Sequence, residues 1–232
     1  MAGNHPGVPG LGDAPFNAGG RRSARPGPGR EIDDDDRAAD DEEAVHGRAL
    51  ILASVARDAR LNQKFLLLIT LSAAIATLGL LQGSAAVVIG AMLVSPLLGP
   101  IMGVGFGLAT LESNLIKRSL VTMAAGMAVA VLVAMLIIWL SPIKDVTPEL
   151  RARTQPTLLD LGVAVVGGIA GVYAILRKLS GVMVGVAIAT ALVPPLSTIG
   201  FGLATGRPDF ALGSALLFLT NTLAIAFAAT IV

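Results

Sequence analysis

Val87-Val-Ile-Gly-Ala-Met-Leu-Val-Ser-Pro-Leu-Leu-Gly-Pro-Ile-Met-Gly-Val-Gly-Phe-Gly-Leu-Ala-Thr110 carries no charge, yet Pro96, Gly99, Pro100, Gly103, Gly105 and Gly107 punctuate it. An interior proline removes a backbone donor and clashes with the preceding turn, so the stretch reads as a broken apolar helix. It also recurs. Ninety-five residues further on, without a gap, stands Val182-Met-Val-Gly-Val-Ala-Ile-Ala-Thr-Ala-Leu-Val-Pro-Pro-Leu-Ser-Thr-Ile-Gly-Phe-Gly-Leu-Ala-Thr205, identical at ten of 24 positions. The shared residues include Gly90/Gly185, Leu97/Leu192, Pro100/Pro195 and the whole of Gly-Phe-Gly-Leu-Ala-Thr.

The surrounding chain is as apolar as the repeat. Of 232 residues, 54% are hydrophobic and 14% charged, with a mean hydropathy of +0.76. No Asp, Glu, Lys or Arg occurs from Phe65 to Leu111, and further charge-free runs cover Ser119–Ile143, Leu161–Leu176, Leu179–Gly206 and Phe210–Val232. A bilayer core needs roughly 20 apolar residues per helix, so the expected class is an all-α integral membrane protein. A net charge of +1 gives no nucleic-acid footprint. With no cysteine, and both histidines (His5 and His46) ahead of the apolar region, neither a metal site nor a cofactor is expected.

Residues 1–46 are rich in Pro, Gly and charge, with acidic runs at Glu31–Asp36 and Asp40–Glu43. Such a tail buries too little apolar surface to offset its ordering entropy and reads as disordered. Residues 47–64 interleave Leu50, Ile51, Val55 and Leu61 with Arg48, Arg57, Arg60 and Lys64, the pattern of an amphipathic helix lying at the headgroups. Six spans are then expected. They lie at Phe65–Leu81, Ala85–Leu111 (the broken one), Ser119–Leu140, Leu158–Leu176, Ser180–Thr205 and Phe210–Val232. A loop at 141–157 divides them into membrane repeats 65–140 and 158–232. The sequence stops inside an apolar run, as a truncated chain or one with a further segment would. Lys and Arg in short loops favour a cytoplasmic N-terminus, eight against four.

An odd number of spans per repeat makes the second unit enter the membrane from the opposite side. Two inverted three-helix repeats follow, an arrangement common in secondary transporters, where discontinuous helices meet at the binding site. Residues 85–110 would reach ~39 Å as one straight helix, too short for two crossings of a ~30 Å core. A kinked span and a half-depth re-entrant pair both fit. Irregular backbone at membrane depth must be buried in protein or line a wet cavity. The expected solute or ion site is therefore Ser95, Pro96, Gly99, Pro100, Thr190, Pro194, Pro195, Ser197 and Thr198, where hydroxyls and freed carbonyls would bind. So few membrane charges suit a neutral solute or a monovalent cation.

The alternative is a non-transporting scaffold or sensor. Glycines at four-residue spacing, including Gly99/Gly103/Gly107 and Gly167/Gly171, let helix backbones approach closely and favour a homo-oligomer in the bilayer. Asn221, with Thr220 and Thr222, reads as helix–helix glue. Asp160, two residues into the fourth span, is a site for proton coupling or merely a first-turn carboxylate complementing the helix dipole. There is no His-Glu-x-x-His, no Gly-x-Ser-x-Gly and no His or Cys in the membrane region, so an enzyme is not expected.

Gly90-Ala-Met-Leu-Val-Ser-Pro-Leu-Leu-Gly-Pro-Ile101 and Ala189-Thr-Ala-Leu-Val-Pro-Pro195 resemble the two hallmark motifs of the domain-of-unknown-function 389 family, over roughly Phe65–Val232. That resemblance implies a bacterial or archaeal cytoplasmic-membrane protein. It supplies no substrate. Members often carry an additional soluble domain, which the polar tail does not resemble.

Overall fold

Several helices begin where the sequence supplies a side-chain cap. In a computed structural model, which describes residues 49–177 and 192–231, Asn62 accepts the Phe65 N–H at 2.7 Å and starts the helix Gln63–Leu81, here α2. Residues 49–58 form α1, so the helix expected over 47–64 is interrupted by this cap. Ser84 caps α3, Ala85–Val94. After the break at 95–97 come α4, Leu98–Ala109, and α5, Ser113–Leu140. Thr147 caps the short α6, Pro148–Ala152. A reciprocal capping box of Thr157 and Asp160 starts α7, Leu158–Leu176. Then follow α8, Val193–Thr205, and α9, Pro208–Ile231. No strand occurs among the described residues.

The residues belong to one compact unit, Ala44–Val232. Within it, α2, α5, α7 and α9 are each long and apolar enough to cross a bilayer, and the bent pair α3–α4 makes a fifth if counted as one span. The fifth expected span, Ser180–Thr205, lies outside the described residues up to position 191, as does the tail 1–46.

Two expectations differ in detail. The third span was expected to begin at Ser119 after a polar turn, but α5 begins at Ser113. Leu111 takes the left-handed conformation, φ 58°, and turns the chain so abruptly that Lys117 and Arg118 fall inside the helix. The linker 141–157, expected as a loop, holds α6. Leu150 of that helix is buried, and the Thr147 hydroxyl donates to the Leu80 carbonyl at 2.7 Å, fastening the linker to the end of α2.

The 95-residue interval governs where these helices start. α2 and α7 start at 63 and 158, α4 and α8 at 98 and 193, α5 and α9 at 113 and 208. The turns after α4 and α8 also agree. The Glu112 N–H donates to the Gly107 carbonyl at 2.9 Å, and the Arg207 N–H to the Gly202 carbonyl at 2.8 Å. Both are the six-to-one closure of a Schellman turn, with Gly206 (φ 69°) standing where the first copy has Leu111.

Packing follows the same interval. The helix α4 lies against α5 of its own repeat and α9 of the other, while α8 lies against α9 and α5. Leu97, Ile101, Val193 and Leu196 share one buried core with Ile69, Ala73, Ala130 and Ile225. That core joins the start of α4 to the start of α8.

Candidate functional site at the broken helices

Proline chemistry explains the first break. Pro96 and Pro100 have no N–H, so the carbonyls of Met92 and Pro96 lose the donors a helix would supply. Met92 recovers one from Ser95 N–H at 3.2 Å, a tighter three-residue closure that ends α3. The Ser95 hydroxyl accepts the Leu97 N–H at 3.4 Å. The axes of α3 and α4 then differ by 56°, so α4 runs on obliquely and does not fold back along α3.

In the second copy Pro194 and Pro195 fall in the first turn of α8, where the missing N–H groups would lack helical partners anyway. Pro100 and Pro195 occupy the same third position of α4 and α8. The prolines therefore start helices as well as stopping them. Val193 through Thr198 are all buried.

The expected site residues fall into three places. Ser95, Pro96 and Gly99 line a groove enclosing about 840 Å³, together with Arg57, Arg60 and Lys64 from the α1–α2 corner. Pro194, Pro195, Ser197 and Thr198 lie in the interior and do not line that groove. Pro100 is likewise buried. Thr190 lies outside the described residues. Hydroxyl chemistry separates the interior pair. Thr198 donates to the Pro194 carbonyl at 3.0 Å, back along its own helix. Ser197 is 1% exposed and its Oγ has no hydrogen-bond partner. Ser119 and Thr222 carry similarly unpartnered buried hydroxyls.

Other expected residues have packing or capping geometry. Asp160 Oδ2 accepts from both the Thr157 N–H (2.8 Å) and the Thr157 hydroxyl (2.7 Å), which commits its carboxylate to the start of α7. Gly103 stands directly against the Ser119 hydroxyl and Ala59, and Gly107 against Ile116. Gly167, Gly171 and Asn221 are buried on α7 and α9, which pack together.

Sequence reading missed the basic groove. Its signal was Asn62, a capping residue that breaks the amphipathic run, so that Arg57 and Arg60 line one groove with Lys64. Also missed was the Ser72 hydroxyl, which donates to the Ala91 carbonyl at 2.7 Å and joins α2 to α3.

Four or five apolar spans around an interior with a broken helix define an all-α polytopic membrane protein. The sequence model described as domain of unknown function (DUF389) matches residues 92–227, and the chain belongs to that family. It is 29% identical over 182 residues to the uncharacterized protein MJ0678 of Methanocaldococcus jannaschii, an alignment covering 78% of this chain and 57% of that relative. The chain thus spans little more than half the length of that protein. No solved structure matches it.

Proposed function

We propose that the chain is a membrane transporter or channel-like protein for a small solute or ion, with two inverted three-helix repeats and a site where their broken helices cross near the midplane. One observation carries the reading. Gly105 of α4 stands against Ala226 and Ala229 of α9, and Gly200 of α8 stands against Val131 and Ala134 of α5. Every member of one contact is 95 residues from its counterpart in the other. Such reciprocal packing is what a pseudo-two-fold axis produces. Three crossings per repeat place that axis in the membrane plane, the architecture of many secondary transporters.

Within this reading, Ser197 supplies an interior hydroxyl at a depth where irregular backbone needs a polar reason. A neutral solute or a monovalent cation matches that donor set. Arg57, Arg60, Lys64, Lys117 and Arg118 belong to the cytoplasmic side of a prokaryotic inner membrane under the positive-inside rule. The role is transport, not catalysis.

A scaffold or sensor is the second reading. Gly90 and Gly162 are exposed, and a methyl group added to either would touch nothing within 4 Å. These open small-residue positions suit contact with a second copy.

Sidedness tests the first reading directly. The chain lacks cysteine, so single cysteines at Gln82 and Arg177, equivalent positions in the two repeats, can be probed with a membrane-impermeant thiol reagent. In intact cells Gln82→Cys is expected to label and Arg177→Cys to be protected until permeabilisation. Labelling of both from one side would remove the inversion and leave the scaffold.

A further inference from the structure

The groove beside Ser95–Pro96 has a chemistry that transport of a small solute does not use. One rim carries three cations, Arg57, Arg60 and Lys64, against one carboxylate, Asp58. Among the described residues none of the three is within ion-pair distance of a carboxylate. Opposite them Leu98 and Gly99 present the first turn of α4, which has no side-chain cap. A helix start of this kind adds its positive dipole end and the N–H groups of Leu98 and Gly99 to the same space, Leu97 donating to Ser95 and Pro100 having none. The floor is apolar, formed by Phe65, Leu68, Leu93 and Met102.

Position completes the description. Lys64 and Phe65 stand in the first turn of a span, so the charged rim lies at headgroup level while Leu68 and Leu93 point the groove towards the hydrocarbon. A phosphate alone would satisfy the rim and leave the floor unused. A fatty chain alone would do the reverse.

We propose that this groove binds an anionic phospholipid, its phosphate held by Arg57, Arg60, Lys64 and the start of α4, and an acyl chain lying over Phe65, Leu68 and Leu93. The bound lipid bridges α1, α2 and the α3–α4 break. This goes beyond the transport reading, and its test reads binding, not flux.

Thermal unfolding of the full chain in neutral detergent measures it, with short-chain phosphatidylglycerol, short-chain phosphatidylcholine and inorganic phosphate as separate additions. Phosphatidylglycerol is expected to raise Tm on the order of 4 °C once it exceeds its Kd about tenfold. Phosphatidylcholine and inorganic phosphate at the same concentration are expected to leave Tm unchanged. The double variant Arg57→Gln/Arg60→Gln is expected to lose most of the response, whereas Lys144→Gln/Arg151→Gln, in the linker outside the groove, keeps it. Should the first pair fail to fold, Lys64→Gln alone is expected to weaken the response.

Equal shifts with phosphatidylcholine would show bulk lipid acting on the whole surface. A shift reproduced by inorganic phosphate would mean an anion site without a lipid. Full retention of the response in both Arg57→Gln/Arg60→Gln and Lys64→Gln would place the lipid elsewhere. Each of these overturns the proposal.

Discussion

Gly105 and Gly200 stand 95 residues apart and do the same thing to opposite partners. A Cβ built on Gly105 would lie 2.6 Å from the Ala226 carbonyl, and one on Gly200 2.9 Å from the Val131 carbonyl. Both are backbone contacts that no rotamer change can relieve. Gly105→Ala and Gly200→Ala are therefore expected to destabilise the fold to a similar degree, by about 1–3 kcal/mol each, the usual cost of overpacking. Thermal unfolding in detergent reads it. A large loss at one position and none at the other would break the equivalence of the two contacts.

Much of this fold was legible because the repeat is written in residue identities. Gly-Phe-Gly-Leu-Ala-Thr occurs twice, and the starts of three helix pairs obey its interval. Not every contact obeys that interval. Asp58 at the end of α1 and Arg153 just after α6 are 95 apart, yet Asp58 sets its carbonyl against Gly99 of α4 while the Arg153 carbonyl accepts the Ser214 hydroxyl of α9 at 3.0 Å. Contacts made through a backbone carbonyl leave no mark in the sequence of the residue that supplies it. The groove was hidden for a different reason. Its cations are consecutive with an amphipathic pattern, and only the three-dimensional turn at Asn62 brings them to the α4 terminus.

Leu111 offers a cleaner comparison than either groove or core. It adopts φ 58° while 87% exposed, and its counterpart Gly206 adopts φ 69°. An L-residue in the left-handed region costs roughly 1–2 kcal/mol, and glycine recovers that at an unfolded-state entropy cost of about 0.5–1 kcal/mol. Leu111→Gly is expected to be neutral to stabilising, by up to about 1 kcal/mol. Gly206→Leu should lose a comparable amount. The paired Tm measurements, with opposite signs, are the check; a destabilised Leu111→Gly would mean that the exposed leucine is anchored in the headgroups.

The Thr157–Asp160 box makes a prediction about coupling. The carboxylate accepts two bonds from Thr157, so it caps α7 and contributes about 1 kcal/mol there. Asp160→Ala is expected to lower stability by that amount. Any flux measured in liposomes should keep its dependence on a proton gradient. Loss of that dependence, with stability unchanged, would make Asp160 a coupling residue instead.

Ser197 is the most direct probe of the interior site. Its hydroxyl is buried without a partner, while the neighbouring Thr198 hydroxyl is already bonded within α8. If Ser197 serves packing alone, Ser197→Ala removes an unsatisfied polar atom and should stabilise the fold slightly, since an unpaired buried hydroxyl costs about 1–3 kcal/mol. If it serves a solute, the same substitution should also remove a ligand and slow flux. Our reading therefore expects both effects together: Tm equal or higher, and flux reduced by about fivefold or more, one lost hydrogen bond being worth roughly 1 kcal/mol. Thr198→Val is the control, because its hydroxyl is occupied, and it should change flux little. A variant pair in which Ser197→Ala keeps full flux and Thr198→Val loses it would move the site off the serine. Full flux in both would remove these two hydroxyls from the mechanism, and with them the interior site at the start of α8.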